Sequence, residues 1–187
     1  MKILKTIVIF SLLTGAFVGC SDDDTPILIN EEEVITTLSA TLKPVGGGTD
    51  IELKTVDSDG DGPNPPVVTI SGNLLANTTY NGSLDLLNET VSPAESITEE
   101  IAEEDDEHQF FFQATNSIAT FQYSDQDGDG NPIGLSFTLT SGNAGSGAIT
   151  ITLRHEPNKS ADGVSAGDIT NAGGETDITA TFPIVVE

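Results

Sequence analysis

His108 and His155 are the only histidines in this chain of 187 residues, and each stands beside carboxylates. His108 follows Asp105, Asp106 and Glu107, while His155 precedes Glu156. Two neutral imidazoles with one or two carboxylates suit zinc or another divalent transition metal such as copper(II) or iron, because these cations accept nitrogen and oxygen donors together. A joint site, assisted by Glu104 or Asp105 and by Glu156, requires the fold to bring the two histidines to one edge. Glu104 and His108 are four residues apart and share a face if a helix extends that far. The competing reading is two histidines at separate strand edges. No CxxC or His-Glu-x-x-His spacing decides between them. Copper(I) is disfavoured, since the only methionine is Met1 and the only cysteine is Cys20.

Two loops repeat aspartate at alternate positions, Asp57-Ser58-Asp59-Gly60-Asp61-Gly62 and Asp125-Gln126-Asp127-Gly128-Asp129-Gly130. Asp57, Asp59 and Asp61 in the first, and Asp125, Asp127 and Asp129 in the second, can aim several oxygens at one calcium ion while glycine permits the tight turn. Neither loop is a complete EF-hand. The position of its bidentate glutamate is Val68 in one and Ser136 in the other. Asp-Gly is also a favoured turn pair, so an acidic hairpin turn is the alternative.

Catalytic signatures are absent. The chain has no Gly-x-Ser-x-Gly elbow, phosphate loop or dinucleotide fingerprint, and the glycines of 141–147 lie between strands instead of opening a helix. The expectation is therefore a protein that is not an enzyme. Glycan stacking is weakly supported, with no tryptophan and two tyrosines.

The elements that must position these residues are strands. From Glu33 onward the apolar pattern has period two, with β-branched residues in the runs and Gly, Pro, Asn and Asp between them. Nine strands are expected, over 34–42, 50–56, 67–71, 78–87, 109–115, 119–123, 134–140, 148–154 and 177–186. That count implies an all-β antiparallel sandwich or flattened barrel. The glycine turns at 46–48 and 142–145 suit hairpins between neighbouring strands. One segment differs: Ser92-Pro93-Ala94-Glu95 reads as a capped start for a short acidic helix over 93–106, with Ile97 and Ile101 as its apolar seam.

Cys20 ends an apolar run behind Lys2 and Lys5, after Gly19 and before Ser21 and three aspartates. A positive start, a run too short to span a bilayer and a small residue before the cut read as a secretory signal, and the cysteine makes it resemble a lipobox. The predicted organisation is a lipoprotein signal peptide at 1–19, a lipidated acidic tether at 20–32 and one β domain at 33–187. Without residues 1–19 the chain holds four basic residues against thirty acidic ones, a formal charge of −26. Such a charge excludes nucleic acid as a partner and repels anionic membrane surfaces, so attachment falls to the lipid. A single cysteine leaves no internal disulfide, and the fold must rest on packing or on bound cations.

The stretches 30–37, 106–112, 153–160 and 167–176 resemble a family of small flavobacterial (Bacteroidota) outer-membrane lipoproteins, and the similarity runs over nearly the whole chain after Cys20. Members are commonly labelled type 1 periplasmic-binding-fold superfamily proteins, and their genes often lie near TonB-dependent receptors. The resemblance implies an outer-membrane lipoprotein with such a receptor as its partner, and the Ser21-Asp22-Asp23-Asp24 run, which resembles the acidic stretch that routes Bacteroidota lipoproteins to the outside of the outer membrane, implies exposure at the cell surface. The family label implies two α/β lobes, whereas the residues predict antiparallel strands. Taken together, these expectations describe an accessory lipoprotein that captures a metal cation or small cationic ligand. The alternative is a surface structural or adhesion domain whose only ion is fold-stabilising calcium.

Overall fold

Period-two runs become strands because one face of each is buried. In the strand Gly145–His155, Ile149, Ile151 and Leu153 are buried, while Thr150 and Thr152 turn to the other face and meet Thr181 and Thr179 at 3.0 and 3.3 Å. The computed structural model describes residues 33–59 and 62–187, which belong to one compact unit. Cys20, the expected signal and tether, and Asp61 lie outside the described residues.

The elements in chain order are β1 (Thr37–Pro44), β2 (Ile51–Val56), β3 (Val67–Ile70), β4 (Thr79–Asn88), β5 (Glu95–Ser96), α1 (Ile97–Glu103), β6 (His108–Ala114), β7 (Ala119–Tyr123), β8 (Ser136–Ser141), β9 (Gly145–His155) and β10 (Glu175–Val186). Short 3-10 turns lie at Val164–Ala166 and Ile169–Asn171. One antiparallel sheet has the order β3-β2-β1-β4-β8-β7, with β5 pairing the end of β4, and the second has the order β10-β9-β6. Side chains of both sheets, among them Leu38, Leu86, Phe110, Leu139, Ile151 and Phe182, form one buried cluster. The described residues thus form an all-β antiparallel sandwich with one short helix, as the alternation predicts, and not a pair of α/β lobes.

Three local expectations change. The helix starts at Ile97, because Ser96 is its cap and accepts from the Glu99 amide at 3.3 Å, supplying the serine and glutamate spacing one turn later than Ser92. Its two isoleucines are buried as expected. The 142–145 turn does not close a hairpin. It carries the chain from β8 in one sheet to β9 in the other, and Gly142 is needed there because a Cβ would overlap the Ser117 carbonyl oxygen. Finally, β1 starts at Thr37, so residues 33–36 form a lead-in along the sandwich end and Glu33 is free to turn inward.

Candidate metal centre

His108 opens β6 and His155 closes β9, and the antiparallel register sets them directly opposite each other. Opposed residues share a sheet face, so the imidazoles meet, with ring centroids 4.5 Å apart. Arg154 faces the other way, where its guanidinium bonds Thr176. The joint placement of the two histidines, which the sequence offered without deciding, is produced by β-pairing.

The carboxylates that complete the group are Glu33 and Asp177. Glu33 Oε1 lies 2.6 Å from His108 Nε2, and its Oε2 lies 3.5 Å from His155 Nδ1. Asp177 Oδ1 is 3.7 Å from the same His155 Nδ1. All four side chains are within 4 % of full burial. One ligand atom from each of Glu33, His108, His155 and Asp177 falls within 4.8 Å of the other three, an arrangement that can hold a metal ion. Tetrahedral zinc with nitrogen and oxygen at about 2.1 Å has ligand–ligand edges of about 3.4 Å, so modest side-chain adjustment closes the shell.

A β-bulge delivers Asp177. Along β10 the even-numbered Ala180, Phe182, Ile184 and Val186 are buried, and alternation would turn Asp177 outward with Thr179 and Thr181. The register slips between Thr176, opposite Arg154, and Ile178, opposite Leu153. Asp177 is the extra residue, and its side chain is fully buried. Just upstream, Gly174 takes φ 66°, and a Cβ there would overlap the His155 carbonyl oxygen, so glycine lets β10 approach the end of β9.

The outer nitrogens have partners suited to orienting metal ligands. His108 Nδ1 is 3.1 Å from the Glu104 carbonyl oxygen, and His155 Nε2 is 3.6 Å from Glu107 Oε2. A carbonyl or carboxylate behind each ring fixes which nitrogen faces the metal. By contrast, both Asp177 oxygens and Glu33 Oε2 are buried without a hydrogen-bond partner. Burial and the negative charge of Glu33 push the Asp177 carboxyl up to about 7. For Glu33, burial is outweighed by the His108 hydrogen bond and by the charges of both imidazoles, and its carboxyl is held below the usual range. Burial likewise opposes a charge on His108, but the bond to Glu33 and that carboxylate's charge raise its value. Glu33 and His108 thus favour each other's charge, while Asp177 holds its proton up to about pH 7.

The other expected ligands go elsewhere. Glu104 is exposed and offers only its carbonyl, Glu156 is exposed at φ 47°, and Asp105 uses its carbonyl to accept from Lys159 Nζ at 2.5 Å. In the second aspartate loop, Asp125 accepts from the Gly134 and Ser136 amides, both at 2.7 Å. Asp127 accepts from the Asp129 and Asn131 amides and from Lys159 Nζ at 3.0 Å, a buried ion pair. Burial notwithstanding, that lysine and those amides hold the Asp127 carboxyl below the usual range. Oxygens expected for calcium thus serve N–H donors, and the Asp129 side chain is exposed. In the first loop, exposed Asp59 accepts from Asn64 at 2.6 Å, whereas Asp57 lines a cavity shared with Glu33 and Asp177.

Sequence reasoning missed Glu33 and Asp177 for different reasons. Glu33 ends an acidic run indistinguishable from a solvated tether, and nothing local marks it out. Asp177 opens a strand that follows two glycines, a weak sign of irregular pairing, but its parity points outward until the bulge is known. Compared with protein-family models, curated proteins and solved structures, the chain matches none.

Proposed function

We propose that this chain is a non-enzymatic cell-envelope lipoprotein that captures a divalent transition metal, zinc foremost, through Glu33, His108, His155 and Asp177, beside a TonB-dependent outer-membrane receptor. The observation that carries the metal reading is a buried carboxyl group, Asp177, whose oxygens lack a hydrogen-bond partner, beside two imidazoles, one with its outer nitrogen bonded to the Glu104 carbonyl and the other with its outer nitrogen near Glu107. Buried polar groups are nearly always satisfied, and those that are not point to a missing partner. Two nitrogens and two oxygens favour zinc over calcium, which takes oxygen alone. Four protein donors also fill a tetrahedral shell and leave no position for a reacting water, which supports capture over catalysis. The lipoprotein address rests on Cys20 and its preceding apolar run, and the receptor on the family resemblance. Strong negative charge raises the local concentration of cations around the domain.

Zinc titration with thermal unfolding tests this reading in the wild type, His108→Ala and His155→Ala. At a hundredfold excess over the dissociation constant, zinc stabilises the wild type by about 2.7 kcal/mol, a rise in Tm of about 5–11 °C for a domain of this size. Either substitution removes that rise. Equal zinc stabilisation in all three proteins refutes the shared site, and stabilisation by calcium alone favours the adhesion or structural alternative.

A further inference from the structure

Beside the histidine cluster, the lead-in to β1, the end of β2 and the start of β10 enclose a cavity of about 310 Å³. This is the size of small-molecule sites at their lower limit. Its wall includes Glu33 and Asp177, and also a third carboxylate, Asp57, whose Oδ1 is buried without a hydrogen-bond partner. Thr55 and Thr179 add polar wall, and Ile35 and Ile178 add apolar wall. None of the described residues that line it is basic.

We infer that this cavity binds a small organic cation, a primary amine whose ammonium group pairs with Asp57 and whose short alkyl body packs on Ile35 and Ile178. Glu33 pairs with His108 at 2.6 Å and Asp177 belongs to the same four-residue group, which leaves Asp57 as the cavity acid outside that group, with its Oδ1 lacking a partner. A desolvated carboxylate oxygen demands a donor, and an ammonium supplies three on one compact charge. Hydrophobic walls exclude a ligand that is polar throughout, and the acid excludes anions. The inference goes beyond the metal reading and does not depend on it, because Asp57 is not one of the four metal donors.

The test is a nuclear magnetic resonance titration of the purified protein with n-butylammonium chloride, with and without zinc, and with neutral 1-butanol as the uncharged control. Saturable shifts at the amides of Thr55, Asp57 and Ile178 are expected with the amine in both zinc states. 1-Butanol, and the amine with Asp57→Asn, bind at least about tenfold more weakly, the worth of one charged hydrogen bond. No saturable shift in the wild type, equal affinity for 1-butanol, or an unchanged amine affinity in Asp57→Asn overturns the inference. Zinc is titrated into the same variant: unchanged zinc affinity separates the two sites, and a loss of zinc binding assigns Asp57 to the metal centre and also overturns it. Amine binding in a protein that ignores zinc would leave this inference standing while the metal reading fails.

Discussion

Replacing Asp177 by asparagine separates a residue kept for binding from one kept for stability. The carboxyl moves from an ordinary 3.8 to about 7 in the folded protein, so the folded state holds its proton where the unfolded chain has released it. A carboxyl raised in this way contributes nothing adverse below its unfolded value. As pH rises from about 4 to 7 it withdraws stability, and above 7 the full cost remains. The displacement corresponds to about 4 kcal/mol. Relaxation and water entry reduce such penalties, and we take about half, some 2 kcal/mol, as the gain at pH 8 when the charge is removed. In the metal-free protein, Asp177→Asn should therefore raise Tm at pH 8 by about 4–8 °C and change it little at pH 4. The same substitution removes a ligand and should abolish zinc stabilisation. Differential scanning calorimetry at the two pH values, with chelator and with zinc, reads both effects. A variant less stable than the wild type at pH 8 with chelator would refute the reasoning, because it would show that the charge is satisfied in the native fold.

Zinc affinity should fall as pH drops below about 7, since protons on Asp177 and on His108 compete with the metal; calorimetric titration at pH 8, 7 and 6 should show rising proton release and weakening binding, and a flat profile would count against these ligands. Lys159→Met strands Asp127 in a buried site and should cost about 3 kcal/mol, a fall in Tm of about 6–12 °C, while adding Asp127→Asn should restore most of it; an undiminished Tm in the single variant would show that the pair contributes nothing.

By itself the sequence determined the class of fold and the donors that were candidates. Alternation in runs such as Ile149-Thr150-Ile151-Thr152-Leu153 demands a half-buried strand wherever it sits, and two histidines in the whole chain could be named without any structure. Even the helix was legible in its buried Ile97 and Ile101, although its cap fell one turn later than Ser92. Convergence was not legible. His108 meets His155 because β6 and β9 pair in one particular register, and register is set by the whole core. Glu33 and Asp177 required still more of the tertiary structure: one enters from the residues just ahead of β1, the other through a single-residue bulge that reverses its parity. In the second aspartate loop the spacing suggests calcium, whereas Lys159, remote in sequence, brings its ammonium to Asp127. Local spacing encodes which side chains can bind a cation. Which of them gather is decided by long-range pairing, because burial of the whole sandwich supplies the free energy that holds unsatisfied carboxylates in place.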